Sequence, residues 1–363
     1  MASVRPARFD DHQEATALLA RLGLVMPSAG AAATAHWTRL WRDNPALAGE
    51  ADPALGWVLE DGARMVGFFA NFQTLYQWGG RTLKVAVASQ WGVEREYRGE
   101  TSKLADAYFG QPADLILVTT GIKPTGRIFE RYGGRPVPQP RCDRVPFWIC
   151  DHRAFLAAAA RKKNIGAAGL LGALTGPVAA AADLLRRRPR PIEAVEVASG
   201  FGPDFDGLWA DWLAGPLRLA MRRDGATLAW HYGPHAARGG LTVLAMRRSG
   251  RLVGYGIMVR EDSAVIGLKR AKLVDVLVPG DDPAALESIL AAALARARAQ
   301  GCAVLELAAA PPALADLALA RGALVRALPV WPCWFIPRPG VPAELERADA
   351  WWLTGYDGDT ALF

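Results

Sequence analysis

The sequence lacks paired cysteines, clustered metal ligands and an apolar leader. Its four cysteines (Cys142, Cys150, Cys302 and Cys333) form no C-x-x-C pair and no cluster with histidines. This pattern argues against a zinc site and is typical of reduced thiols in the cytoplasm. The first stretch, MASVRPARFDDHQEA, has no apolar signal core. We therefore expect a cytoplasmic protein without a metal and not a secreted one.

Excess positive charge is scarce outside one short segment. The 363 residues are 51% hydrophobic and 21% charged, which is typical of a globular chain long enough for two domains. Seven basic residues flank one apolar stretch: Arg161, Lys162, Lys163, Arg186, Arg187, Arg188 and Arg190. Without these seven, 35 of the 42 basic residues remain against 36 acidic ones. Because proteins that grip long nucleic acids spread basic charge along a groove, we do not expect a nucleic-acid partner.

One order of predicted elements occurs twice. In the first half, GWVLEDGARMVGFFANFQTLY predicts a hairpin, RTLKVAVASQWGV a strand, TSKLADAYF a helix and ADLILVTT a buried strand. In the second half, LTVLAMRRSGRLVGYGIMVRED, AKLVDVLVPG, DPAALESILAAALARARAQG and CAVLELAAA predict the same four elements. The sequence therefore predicts two copies of one α/β unit, in residues 1–145 and 201–363, joined by a helical linker in residues 146–200.

Three features resemble the GNAT superfamily of acyltransferases. They are the matching hairpins GARMVGFF and GRLVGYGI, the segment Tyr97 to Gly99, and IFERYGG from Ile128 to Gly134. The tandem arrangement also resembles GNAT pairs and the related FemAB-type aminoacyl transferases. The resemblance implies two α/β domains, each a mixed central sheet flanked by helices. It also implies transfer of an acyl group from acetyl-CoA or another acyl-CoA to an amine or hydroxyl of a small-molecule or sugar acceptor.

The turn within EYRGETSKLADAYF is the candidate pyrophosphate site. In GNAT proteins a glycine-containing turn between strand and helix points its amides at the pyrophosphate of acyl-CoA, where the helix dipole favours negative charge. Thr101 stands where the family often has a later glycine, and we expect hydroxyls there to cap the helix and bind the anion. The alternative is a capped helix start without a ligand. The residues that the resemblance assigns to the cofactor are Val93, Arg98, Gly99, Glu100, Thr101 and Ser102.

The corresponding turn of the second half reads VLVPGDDPAALESIL. Asp281 and Asp282 are expected at the helix N-terminus, where their carboxylates satisfy the free amides and repel a pyrophosphate. We therefore expect the first half to bind the cofactor.

Two positions bear on a catalytic acid. Many GNAT enzymes use a tyrosine in the helix after the next strand, and alignment with IFERYGG places Phe129 there, which has no proton to donate. Tyr132 lies nearly one helical turn further and is a candidate replacement, although such a tyrosine also packs without a catalytic role. The second half has Ala318 at this position.

Three residues are candidates for the base. Glu94 and Glu96 follow the strand that precedes the Arg-Gly turn, where GNAT enzymes often place a base or a water-holding carboxylate. His231, in LAWHYGPH, is predicted to line a cleft between the halves. The alternatives are ordinary solvated carboxylates and a structural histidine.

The segment between the halves has no charge from Ile165 to Ala182. Its Gly and Ala content and the Gly176-Pro177 pair make it a poor membrane span. Two short helices at an anionic lipid surface are one interpretation, which predicts weak, salt-sensitive contact through residues 161–190 at the inner membrane face. The alternatives are a helical hairpin packed between the domains and a site for a phosphorylated or tRNA partner.

Two other functions are compatible with the sequence. A FemAB-like transferase would use aminoacyl-tRNA and need no CoA turn. A catalytically degenerate GNAT pair would serve as a binding protein, in agreement with Phe129. The last stretch, WWLTGYDGDTALF, predicts a tail docked by Trp351 and Trp352 with its aspartates near the cleft.

Overall fold

The computed structural model describes residues 2–119, 126–166, 168–183 and 187–358. In chain order, the strands are β1 (Ser3–Pro6), β2 (Gly56–Asp61), β3 (Arg64–Trp78), β4 (Arg81–Val93), β5 (Leu115–Val118), β6 (Arg135–Pro136), β7 (Arg144–Ile149), β8 (Val195–Ala198), β9 (Ala220–Met221), β10 (Leu241–Arg248), β11 (Arg251–Arg260), β12 (Arg270–Leu277), β13 (Val304–Leu307), β14 (Leu324–Ala327) and β15 (Trp334–Pro337). The α-helices are α1 (His12–Arg21), α2 (Ala31–Trp41), α3 (Thr101–Phe109), α4 (Gly126–Arg131), α5 (His152–Lys162), α6 (Ala168–Asp183), α7 (Asp204–Leu213), α8 (Gly225–Ala237), α9 (Pro283–Ala299) and α10 (Pro312–Ala320).

Two mixed sheets flanked by helices confirm the predicted fold class. The first sheet has the order β1-β2-β3-β4-β5-β15-β6, with β9 paired to β3. The second has the order β14-β7-β13-β12-β11-β10-β8. Within each sheet one neighbouring pair is parallel, β4 with β5 and β12 with β13. The two predicted hairpins are β2–β3 and β10–β11.

The two sheets exchange strands across the chain. β7 precedes the helical segment in sequence and pairs with β13 and β14 of the second sheet. β15 lies in the second half and pairs with β5 and β6 of the first sheet. The helical part of the predicted linker, α5 and α6, is thus bracketed by β7 and β8 of the second sheet. Each half depends on the other for a strand.

Two buried cysteines meet where the chain crosses between the sheets. The thiols of Cys142 and Cys333 are hydrogen-bonded, and this bond together with burial raises the pKa of Cys333 well above its usual value. A thiol in this environment stays protonated and is a poor nucleophile. All four cysteines are free thiols in the structure.

The second half also packs on one face of the first sheet. That face belongs to a core shared by α1, α2, α7, α8 and the tail, whereas α3 and α4 cover the other face. Trp230 of α8 stacks on Phe72 of β3, with ring centroids 5.8 Å apart. Phe72 pairs with Val87 of β4. Residues of the second half therefore reach the middle of the first sheet.

The matching glycines of the two hairpins both lie in tightly packed places. A Cβ atom at Gly67 would lie 3.1 Å from Leu104 of α3, and one at Gly254 would lie 3.0 Å from Val278, which follows β12. At Gly67 the glycine lets α3 approach the sheet closely. The repeated Val-Gly pair thus reflects tertiary packing in both halves.

We expect Gly67→Val to destabilise the protein by about 1–3 kcal/mol, because the added methyls overpack the contact with Leu104 and Val93. Gly207→Ala is the control, since Gly207 is exposed inside α7 and an added Cβ meets no atom within 4 Å. That change should leave stability equal or raise it by about 0.5–1 kcal/mol. Urea unfolding of both variants measures the difference. Equal stabilities would contradict the packing role of Gly67.

Candidate functional site

The parallel strands of the first sheet separate into a fork. β4 and β5 pair only from Val85 to Val87 and from Leu115 to Leu117, and β4 then continues to Val93. Gln90 is an extra residue between the pairs Ala70–Ser89 and Phe69–Trp91, and its φ of 41° places it in the left-handed region. Such a bulge bends a strand away from its neighbour. Past Val87, no ladder joins β4 to β5 among the described residues, which end at Thr119 after β5 and resume at Gly126.

The predicted pyrophosphate turn is helical. Residues Arg95–Glu100 form a 3-10 helix that runs directly into α3. The amide of Thr101 donates to Arg98 O, and its hydroxyl also donates to Arg98 O at 2.8 Å. Glu100 occupies the N-cap position without a side-chain cap bond. The expected cap by Thr101 or Ser102 is therefore replaced by backbone acceptors of the preceding turn.

The side chains predicted to contact the anion lie on the surface of this turn. Arg98 and Ser102 are exposed, and Val93 is buried at the end of β4. A Cβ at Gly99 would meet no atom within 4 Å, so this glycine has open space around it. Glu100 forms an ion pair with Lys103 at 2.5 Å. The guanidinium of Arg98 and the hydroxyl of Ser102 are therefore exposed to solvent at the beginning of α3.

The two candidate carboxylates differ in their surroundings. Glu94 is partly buried, and its two oxygens contact Arg21 at 3.1 Å and Arg64 at 3.0 Å. Within the described part of the chain, the exposed Glu96 forms no ion pair. Glu94 therefore anchors the end of β4 to neighbouring elements, and Glu96 is the freer of the two.

Tyr132 does not point a free hydroxyl into the fork. Its hydroxyl donates to Asp106 at 2.6 Å, and its ring stacks on Phe109 with centroids 4.4 Å apart. Burial and this hydrogen bond raise the pKa of Tyr132 to about 12. Phe129 is buried against Phe109 and Trp334. An acid this weak is poorly matched to proton transfer near neutral pH.

His231 is fully buried in α8. Its ring lies 4.2 Å from that of Tyr356 and 4.9 Å from that of Tyr232. Neither ring nitrogen has a hydrogen-bond partner among the described residues. Burial, reinforced by Arg39, holds the pKa of His231 well below its usual value. The ring is therefore neutral near pH 7, and it is packed in the core between the halves.

The second sheet has a fork of its own, and the tail fills it. β12 and β13 pair from Arg270 to Leu273, and Val274 is the bulge residue that follows. The turn Gly355–Asp357 enters here, because a Cβ at Gly355 would lie 3.1 Å from both Val274 O and Ala308 Cβ. The chain itself thus occupies the place that corresponds to the first fork.

Buried charges hold the tail in the second fork. Arg223, with no exposed surface, contacts Asp275 of β12 at 3.2 Å and Asp357 of the tail at 3.0 Å. Thr354 donates its hydroxyl to Asp275 at 2.8 Å, and its amide donates to Asp357 at 2.7 Å. Burial raises the pKa of Asp357, and Arg223 opposes that shift. Trp351 and Trp352 are buried, as predicted, whereas Asp359 lies outside the described residues.

In the acidic turn of the second half, Asp282 caps the helix as predicted, whereas Asp281 does not. Asp282 caps α9 by accepting from the amides of Ala284 at 2.9 Å and Ala285 at 3.4 Å. Asp281 forms an ion pair with Arg218 at 2.8 Å. These carboxylates occupy the end of α9 that would face an anion. No group of metal-ligating side chains occurs in the residues that the structure describes.

We expect Arg223→Met to destabilise the protein by about 3–5 kcal/mol, because Asp275 and Asp357 would remain buried without their cation. Arg222→Met is the matched control, since the side chain of the neighbouring arginine is 45% exposed and, among the described residues, pairs with the single carboxylate of Asp224. That variant should lose less than about 1 kcal/mol. Thermal and urea unfolding of both variants provide the measurement. Similar losses for both arginines would contradict the role of the buried network.

No protein-family model and no curated protein matches the sequence. Solved structures match the fold over 92% of this chain. They include a GCN5-related N-acetyltransferase from Anabaena variabilis ATCC 29413 (TM-score 0.51, 12% identity, 72% of that chain). A probable N-acyltransferase from Enterococcus faecalis V583 (0.57, 12%, 72%) and a GCN5-related N-acetyltransferase from Kribbella flavida (0.54, 12%, 70%) match as well. The chain therefore has the fold of GCN5-related N-acetyltransferases.

Proposed function

We propose that the first half binds acyl-CoA at its fork and transfers the acyl group to an amine or hydroxyl of a small-molecule acceptor, sugars included. The observation that carries this proposal is the difference between the forks. The second fork is filled by Gly355–Asp357, whereas β4 pairs with β5 only as far as Val87 and continues to Val93 with no filling segment among the described residues. The fold shared with N-acetyltransferases supports the reaction class.

The geometry of the first fork suits the pantetheine arm of acyl-CoA. That arm carries two amide groups, which can hydrogen-bond to an open strand edge in the way an added strand does. The β4 edge past the bulge, from Gln90 to Val93, would offer such groups beside α3. An arm lying there would extend its pyrophosphate toward the beginning of α3, where the helix dipole favours negative charge.

Side chains around the turn would hold the pyrophosphate. Arg98 supplies a permanent positive charge and hydrogen-bond donors, and Ser102 supplies a hydroxyl. The amide of Thr101 is already bonded to Arg98 O and cannot also bind the anion. The side chains of Arg98 and Ser102 would therefore supply contacts that backbone amides supply in glycine-rich turns.

Glu96 is the proposed proton acceptor for the attacking amine or hydroxyl, and Glu94 positions the end of β4 through Arg21 and Arg64. The attacking atom forms a bond to the thioester carbonyl carbon while its proton passes to the base. Collapse of the tetrahedral intermediate breaks the carbon–sulfur bond and releases CoA as the thiolate, which takes up a proton from solvent.

Calorimetry with CoA and acetyl-CoA tests cofactor binding. We expect the intact chain to bind both, and Arg98→Glu with Gly99→Asp to weaken binding by at least about tenfold, because two negative groups replace a cation and an open position. Lys162→Glu with Lys163→Glu is the control, which adds the same kind of charge on α5. Absence of binding by the intact chain, or equal affinity in both double variants, would refute the proposed site.

Thiol release from acetyl-CoA in the presence of a panel of amines tests catalysis. Glu96→Gln should lower kcat by about 10²-fold or more if this carboxylate accepts the proton. Tyr132→Phe should change kcat by less than about threefold, because a phenol bonded to Asp106 with its pKa near 12 donates its proton poorly. A large loss of kcat in Tyr132→Phe, with unchanged CoA affinity, would instead identify Tyr132 as the acid that protonates the leaving thiolate.

A binding protein without turnover is the second candidate. The buried Phe129 and the bonded hydroxyl of Tyr132 leave no tyrosine acid among the described residues of α4 and its end. In that case calorimetry would detect CoA binding, and no amine in the panel would cause the release of free CoA thiol from acetyl-CoA. The two assays together separate the candidates.

A further inference from the structure

The helices α5 and α6 form a hairpin that leaves an apolar face uncovered. α6 packs its glycines on α5: a Cβ at Gly172 would lie 2.5 Å from Arg153 O, and one at Gly176 would lie 3.0 Å from Arg153 Cα. Leu170, Leu174 and Val178 follow the four-residue spacing of one helix face, with 62%, 67% and 72% of their surface exposed. The glycines of α6 thus pack the hairpin, and Leu170, Leu174 and Val178 face outward.

A groove runs along this face. Its volume is about 600 Å³, and its lining includes Leu156, Leu174, Val178 and Lys163. Ile165, in the turn between the helices, also lines it and is 47% exposed. A lysine at the edge of an apolar groove can lay its stem along the apolar surface and keep its ammonium group outside.

A second element extends the same surface. Val265 is 93% exposed in the loop between β11 and β12. The adjacent Ile266 accepts a hydrogen bond from Arg161 at the end of α5, at 3.0 Å. This bond holds the loop beside the end of α5. We call Ile165, Leu170, Leu174, Val178 and Val265, with Lys162, Lys163 and Lys269, the insert surface.

The charge around the insert surface is strongly positive. From His152 to Ile192 the sequence has eight arginines and lysines and one acidic residue, Asp183. That carboxylate contacts Arg188 and His152. The acids of the neighbouring loop are also paired, Glu261 with Arg270 and Lys272, and Asp262 with Arg260. Lys162, Lys163 and Lys269 are exposed.

We propose that the insert surface docks the protein on an anionic lipid bilayer, with α6 and the tip of the β11–β12 loop at the headgroup boundary. Apolar side chains enter that boundary and lysines contact anionic headgroups, which is how interfacial segments bind. No helix in the described residues is long and apolar enough to cross a membrane. A second copy of this chain fits the surface less well, because the same positive charges would face each other.

Sedimentation with phosphatidylcholine vesicles, with and without one third phosphatidylglycerol, tests the proposal on the full chain. We expect pelleting with the anionic vesicles at low salt and loss of most of it at high salt, where surface charges are screened. Lys162→Glu with Lys163→Glu should lower the partition coefficient at least about tenfold. Val265→Ser should lower it by about threefold or more, since less apolar surface enters the boundary.

Matched control variants distinguish a loss of vesicle binding from a loss of folding. Val25→Ser removes an equally apolar side chain that is 85% exposed in the first half, and Arg127→Glu with Arg131→Glu reverses two exposed charges on α4. Both should pellet like the unchanged protein. Thermal unfolding should give the same midpoint for Val265→Ser and Val25→Ser.

Three results would overturn the proposal. They are pelleting that is equal with both vesicle types, no pelleting with either, and loss of pelleting in the controls. A dimer in analytical ultracentrifugation that Leu174→Ser converts to a monomer, without vesicle binding, would make the insert surface a self-association face. None of these outcomes depends on CoA binding or turnover.

Discussion

Where two parallel strands separate, the backbone groups on their facing edges need partners other than each other. The chain has two such places, and it treats them differently. In the second sheet the turn Gly355–Asp357 enters between β12 and β13, and the buried Arg223 joins Asp275 to Asp357. In the first sheet β4 pairs with β5 only as far as Val87 and continues, through the bulge at Gln90, to Val93. This difference is the reason for proposing that the first half binds the cofactor and the second half does not.

The second half acts as a structural partner for the first. It supplies β15 to the first sheet, and α8 places Trp230 on Phe72. A buried arginine is costly to desolvate, so the network around Arg223 exists only because two carboxylates compensate it in good geometry. That network fixes the tail, and the fixed tail closes the second fork. The second half therefore both closes its own fork with the tail and supports the first sheet through β15 and α8.

Local patterns predicted much of this architecture. The hairpins and the cap of α9 by Asp282 are set by neighbours in sequence, and they lie where the sequence predicts them. The pairing of β15 with β5 and the ion pair of Arg223 with Asp357 join residues far apart in sequence. Short apolar strands and single charges carry no signal for such partners. Arg223 stands in MRRDG beside a second arginine, and only burial distinguishes the two.

The candidate site was partly predictable for the same reason. The strand, the turn and α3 follow from composition, but the cap at Thr101 does not form, since the preceding residues continue as a 3-10 helix. Tyr132 was a reasonable acid by helical spacing alone. Its bond to Asp106 of α3 is a tertiary contact that spacing does not reveal.

Hydrogen–deuterium exchange of the intact protein, with and without acetyl-CoA, tests whether the first fork and not the second binds the cofactor, because it reports on both forks in one experiment. If the first fork binds it, acetyl-CoA slows exchange in residues 88–93 and in α3, and leaves exchange in residues 274–277 of β12 unchanged. Protection at β12 with none at β4, or no protection at either fork at saturating acetyl-CoA, would contradict it.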